Sequence, residues 1–195
     1  MRESSHFFAY LSRMKFIHRW GLMRNTQVEN IQEHSLQVAM IAHALALIRN
    51  RLFEGDLDPE RVLALAVFHE VSEVITGDLP TPLKYFNPEI SQAYSEIEQV
   101  ARRKLWDMIP AELKADYRTV LFQEEAEAEG WKVVKAADKI SAYAKCLEEL
   151  KAGNQEFAKA KDSIEREIAG LGLPEVDYFM QKFVRSFALA LDELN

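Results

Sequence analysis

The sequence predicts an all-α protein built as a bundle of about seven or eight helices. Three observations carry this. Apolar residues recur three and four apart in almost every segment, and the alternating pattern of half-buried strands is scarce. Gly and Pro number only 7 and 6 in 195 residues, below the usual combined share of about 12%. A β-rich chain would need more of both for its turns.

The elements follow in order. Ser4 or Ser5 can cap a first helix carrying Phe7, Phe8, Leu11 and Met14, ending near Gly21. A second spans Ile31 to Leu52 and stops before Gly55. Asp58-Pro59 is an N-cap followed by proline at the first helical position, so a third helix starts there and continues to Gly77. Asn87-Pro88 repeats that signal for a fourth, with Ile90, Tyr94, Ile97, Ala101, Leu105 and Met108 on one stripe up to Pro110. A fifth covers Ala111 to Phe122. Gly130 precedes a sixth, from Trp131 to Leu150, which Gly153 closes. A seventh runs through Phe157 to Ile168. Pro174 opens a last helix with Val176, Phe179, Phe183, Phe187 and Leu191. With no repeat, linker or low-complexity tract, a single domain over 1–195 is expected.

At this length about 70% of the extended surface can be buried around one core. The charge of -7 argues against a nucleic acid polymer as partner, because a duplex footprint needs a concentrated Lys/Arg face. A small anionic substrate needs only one or two local cations. The lone Cys146 cannot form an intramolecular bridge and reads as a small core residue. The N-terminus lacks signal-peptide features, and the longest uncharged run, "HSLQVAMIAHALALI", has 15 residues, short of the roughly 20 of a membrane span. A cytoplasmic protein without a membrane partner is expected. The charged stretches "AYSEIEQVARRKLWDMI" and "FQEEAEAEG" read as solvated faces or connections rather than partner sites.

Chemistry concentrates in a few positions. From His34, steps of four and three reach Val38, Ile41, Leu45, Ile48 and Leu52, so the imidazole faces the core as a satisfied core histidine or as a ligand. His69 repeats this on the third helix behind Val62, Leu65 and Ala66, with Glu70 adjacent and Glu73 one turn on. Either these carboxylates face water, or they gather near one point, where a divalent cation is among the few partners that could offset them. Asp138 borders the apolar face of the sixth helix and can pair with Lys135 or Lys139 or turn inward. A mixed His and carboxylate set suits Mn²⁺, Co²⁺, Zn²⁺ or Fe²⁺. No phosphate-cradling Gly-rich loop, Gly-x-Ser-x-Gly or Cys-x-x-Cys is present, so ATPase, serine-hydrolase and thiol-redox readings lack support.

His34, the pair His69-Glu70 and Asp138 fall in the order and spacing of the HD-domain metal phosphohydrolases. The surrounding text is more specific. "RWGLMRN", "ENIQEHSLQVAMIAHALA", "EVITGDLPTPLKYFN", "KAADKISAYAKCLEELKAGN" and "DYFMQKFV" resemble the bacterial 5'-deoxynucleotidases of that superfamily over nearly the whole chain. The resemblance implies an HD-type helical bundle, a homodimer, and removal of the 5'-phosphate from deoxyribonucleoside 5'-monophosphates by water activated on one divalent ion, such as Co²⁺ or Mn²⁺. Carried over by residue, it makes His34, His69, Glu70 and Asp138 the metal ligands. It has Glu73 act on a proton of the reaction, Asp78 complete the polar site, Arg19 hold the phosphate, and Trp20 lie against the sugar to disfavour a 2'-hydroxyl. Asp138 also borders the substrate.

Without the resemblance, Arg19-Trp20 reads as a surface arginine beside a core tryptophan, and Gly77 with Pro80 and Pro82 as a helix terminator. One position departs from the family: its Asp after His69 is Glu70 here, whose extra methylene requires the carboxylate to retract or the ion to move. Two other readings stand beside the first, the second of them because of Glu70. One is an HD hydrolase of a nucleoside triphosphate or cyclic nucleotide; the other is a nucleotide-binding or helical interaction protein with an impaired metal site.

Overall fold

The computed structural model describes residues 4–80 and 87–194; Pro82 lies outside them. Nine α-helices appear among the described residues, with short 3₁₀ turns between them. They are α1 (Phe7–Leu11), α2 (Ile31–Leu52), α3 (Pro59–Val67), α4 (Glu73–Thr76), α5 (Pro88–Asp107), α6 (Lys114–Leu121), α7 (Ala128–Lys151), α8 (Ala158–Ala169) and α9 (Pro174–Lys182). No helix is long and apolar enough to cross a membrane among the described residues.

Helix α2 has the expected bounds because both ends carry their own signals. The Asn30 side chain accepts from the N–H groups of Gln32 and Glu33, satisfying two of the unpaired donors of the first turn. Asp58 and Asn87 cap α3 and α5 in the same way, each followed by proline. Helix α2 packs on α3, α7 and α9, and α7 packs on α3 and α8. Val38, Leu45, Leu65, Ile140 and Val133 are fully buried where these helices meet. The stripe that begins at His34 stays inside as far as Leu45 and then emerges, Leu52 being exposed.

Four boundaries differ from expectation. The first helix is the five-residue α1 followed by a separate 3₁₀ turn at Met14–Phe16. Gly130 lies inside α7, because a Cβ there would stand 3.0 Å from Leu65 Cδ1 and 3.6 Å from Val62 Cγ2. The glycine thus serves close approach to α3, not termination. The last helix ends at Lys182 and gives way to 3₁₀ turns. Its continuation would carry Phe183 and Leu191, both exposed, and an unburied stripe gives a helix little tertiary support.

The fourth difference bears on function. The third helix does not reach Gly77: it stops at Val67, residues 68–72 form turns, and α4 begins at Glu73. Two side chains take carbonyls that a continuous helix would use. His69 Nδ1 stands 2.6 Å from the Ala66 carbonyl, which also accepts from the His69 N–H at 3.4 Å. The buried Arg102 donates to the His69 carbonyl at 3.3 Å and to that of Leu121 at 3.0 Å. The charged stretch on α5 is therefore not wholly a solvated face. Gly77 has φ 73° and ψ 166°, a region essentially closed to other residues, and turns the chain toward Asp78.

A candidate metal and nucleotide site

The first turn of α2, the turn after α3 and the middle of α7 converge. His34, His69, Glu70 and Asp138 each bring one donor atom into a group whose members all lie within 4.8 Å of one another. His34 Nε2 is 3.0 Å from Asp138 Oδ1 and 3.8 Å from Glu70 Oε1, and His69 Nε2 is also 3.8 Å from Glu70 Oε1. The break at 68–72 lets the longer Glu70 side chain reach this point, so adjacent His69 and Glu70 face one centre instead of diverging around a helix. Glu73 is nearly buried in the wall beside them. It arrives there as the first residue of α4 and not one turn along α3.

Hydrogen bonds fix both imidazoles. The bond from His69 Nδ1–H to the Ala66 carbonyl leaves Nε2 as the lone-pair nitrogen, and that atom has no hydrogen-bond partner. Burial lowers the His69 pKa, which keeps the ring neutral. His34 is fully buried. Its Nδ1 meets Arg19 Nη1 at 2.7 Å and Ser141 Oγ at 3.2 Å. Burial and Arg19 push the His34 pKa down, but Glu70 with Asp138 and Glu29 outweighs them and holds it at about 9. Burial would raise Asp138, yet the hydrogen bond and charge of His34, joined by Arg19, hold its carboxyl well below the usual range.

Lys139 does not pair with Asp138; it bridges to Glu167 on α8. Nor is Arg19 a surface residue, with a side chain only 12% exposed. It donates to Glu29 Oε2 at 3.0 Å and stands 3.8 Å from both Glu70 and Asp138. Its Nε is buried without a hydrogen-bond partner. Burial opposes its charge, but Glu70, Asp138, Glu29 and Asp78 together more than offset this. Burial pushes the Asp78 pKa up against the pull of Arg19.

These observations fit a divalent cation. Four carboxylates crowd one guanidinium, an imbalance that burial makes costly, and an unpartnered imidazole nitrogen faces the same point. Ligands on one ion at about 2.1 Å stand at most about 4.2 Å apart, so small adjustments bring all four donors into range.

The centre opens on a cleft of about 510 Å³, within the usual size for small-molecule sites. Arg19, Trp20, Glu70, Glu73, Asp78 and Asp138 line one part of it, and Ala142, Ala160, Ser163 and Ile164 another. Trp20 is half-buried and packs on Phe157 with ring centroids 5.3 Å apart. Its backbone has φ 61°, a conformation costing roughly 1–2 kcal/mol in a residue other than glycine.

Sequence reasoning missed the groups that hold the wall carrying Trp20. The nearly fully buried Glu149 accepts from the Thr26 N–H and hydroxyl, the Gln27 N–H, Asn154 Nδ2 and Lys145 Nζ. Burial would raise its pKa, but these donors depress it strongly. A depressed carboxylate contributes stability above its unfolded pKa, 4.5, and loses that contribution as pH falls through the folded value. Glu149→Gln should therefore cost about 1–3 kcal/mol near neutral pH. The melting-temperature gap from wild type should narrow below pH 4.5; a gap independent of pH would refute this role.

Comparison with known proteins agrees with the fold. A family model described as 5'-deoxynucleotidase YfbR-like matches residues 6–187. A Yersinia pestis protein named 5'-deoxynucleotidase is 56% identical over 191 residues, covering 98% of this chain and 97% of its own. Among solved structures, an HD-domain phosphohydrolase from Listeria innocua superposes with TM-score 0.82 at 23% identity, covering 93% of this chain and 88% of its own. A cyanophage S-2L HD phosphohydrolase, bound to dA and one catalytic Zn²⁺ ion, gives TM-score 0.63 at 20% identity, covering 92% and 95%.

Proposed function

Because this chain belongs to the YfbR-like 5'-deoxynucleotidase family, we propose that it hydrolyses deoxyribonucleoside 5'-monophosphates to deoxyribonucleosides and phosphate. The observation that carries this is the convergence of His34, His69, Glu70 and Asp138 beside the buried Arg19, whose Nε lacks a hydrogen-bond partner among the described residues, at the edge of a nucleotide-sized cleft. Those four residues hold one divalent ion, Co²⁺, Mn²⁺ or a similar metal. When bound, the ion supplies Lewis-acid activation of water and neutralises phosphate charge.

The chain's own groups do the rest. Arg19 binds the phosphate and orients it. Glu73 handles a proton as the P–O5' bond breaks, which leaves the nucleoside with a 5'-hydroxyl. Asp78 completes the polar wall, and Asp138 borders the bound nucleotide. Trp20 fills the space where a ribose would carry its 2'-hydroxyl. The unit is one HD-type domain over 1–195, cytoplasmic and a homodimer.

Phosphate release from dAMP, AMP, ATP and a cyclic nucleotide tests this reading. Wild type should prefer dAMP over AMP by roughly 5- to 150-fold, the equivalent of about 1–3 kcal/mol for an unsatisfied buried hydroxyl, and release nothing from the last two. Trp20→Ala should erode the preference. Equal rates on dAMP and AMP with wild type would overturn it.

A further inference from the structure

Glu29 precedes the helix cap and carries no role so far. An isolated antiparallel bridge between His18 and Asn30 aligns the two chain segments, and the Arg19 N–H donates to the Glu29 carbonyl at 3.0 Å. The Glu29 side chain then turns back under the same neighbour. Its Oε2 accepts from Arg19 Nη1 at 3.0 Å and from Trp20 Nε1 at 3.1 Å. Its Oε1 stands 3.8 Å from His34 Nδ1. One carboxylate, 12% exposed, thus touches the two residues assigned to the phosphate and the sugar, Arg19 and Trp20, and faces the outer nitrogen of one imidazole.

We propose that Glu29 is the positioning residue that aims Arg19 and Trp20 at the phosphate and sugar, an inference that rests on the function proposed above. Arg19 has two other anions within reach, Glu70 and Asp138, each at 3.8 Å. Without Glu29 the guanidinium is free to collapse onto them, occupying the carboxylates and leaving the phosphate. Charge-assisted hydrogen bonds are roughly twice as strong as neutral ones, so a carboxylate suits this restraint. Trp20 loses the hydrogen bond its indole N–H makes to Glu29 Oε2. The backbone is secured elsewhere: the Trp20 carbonyl accepts from the Met23 N–H and Asn25 Nδ2, and Glu149 holds Thr26 and Gln27. Glu29 therefore governs side-chain aim more than loop folding.

The test uses the metal-loaded protein with dAMP and AMP. Glu29→Ala should raise KM for dAMP about tenfold, the equivalent of about 1.4 kcal/mol of lost substrate binding. It should also reduce the dAMP-to-AMP preference several-fold, with melting temperature and metal content near wild type. In Glu29→Gln the amide oxygen can take the place of Oε2, so that variant should recover most of the sugar preference and part of the KM. Unchanged KM and preference in Glu29→Ala would overturn the assignment. If Glu29→Ala does not fold, Glu29→Gln decides: a raised KM at wild-type metal content supports it, and wild-type KM overturns it. Should wild type release no phosphate from dAMP, the proposed activity fails separately. Calorimetric dAMP binding then decides: about tenfold weaker binding in Glu29→Ala, about 1.4 kcal/mol, sustains the positioning role, and equal affinity overturns it.

Discussion

His69→Ala is expected to lose the divalent ion and at least about 10²-fold in dAMP hydrolysis, since removing even the partners that support a ligand costs 10- to 100-fold. The reason lies in how completely this ring is committed. Its Nδ1–H is tied to the Ala66 carbonyl, its Nε2 has no hydrogen-bond partner among the described residues, and burial keeps it neutral. Added metal should raise the wild-type melting temperature, because a ligand that binds only the folded state stabilises it by mass action. The variant should show no such rise, and its metal content should fall far below one ion per chain. A His69→Ala protein that keeps stoichiometric metal and full turnover would remove His69 from the ligand set.

The sequence revealed the parts of this centre that depend on local periodicity. His34 is legible because the stripe through Val38, Ile41 and Leu45 is buried as a helical period requires. The starts of α3 and α5 are legible because Asp58-Pro59 and Asn87-Pro88 carry their own capping chemistry. The break after Val67 is not. It depends on Arg102, 33 residues from His69, capturing a carbonyl across the bundle, and apolar spacing continues through it. A continuous helix would place Glu70 about 100° from His69; the turn instead brings both side chains to one centre. Glu29 and Glu149 were illegible for the same reason. Glu29 meets Arg19 and Trp20 across the His18–Asn30 bridge, and Glu149 adds to the nearby Lys145 and Asn154 the segment at Thr26 and Gln27, 123 and 122 residues away; no short-range pattern marks an acid that serves such distant neighbours.

Glu70 carries the second large effect, because it stands where the resembled family has aspartate. The extra methylene raises the question whether the carboxylate still reaches the ion. Its Oε1 lies 3.8 Å from the Nε2 atoms of both His34 and His69, and its Oε2 is buried without a hydrogen-bond partner 3.8 Å from Arg19 Nε. The side chain therefore reaches the centre, and the turn at 68–72 supplies the latitude. Glu70→Ala removes a charged donor and frees Arg19 from one of its anions, so metal affinity and turnover should both fall, turnover by about 10²-fold as for a misplacement near 1 Å. Glu70→Gln keeps the length but not the charge and should lose metal affinity while folding normally. Glu70→Asp restores the family residue and should bind metal at least as tightly and turn over at least as fast as wild type. Direct metal titration and phosphate release on the three variants separate the outcomes. Wild-type metal binding and turnover in Glu70→Ala would show that Glu70 is no ligand. Activity confined to Glu70→Asp would mean that glutamate at this position has disabled the hydrolase, and that the chain acts by binding nucleotide.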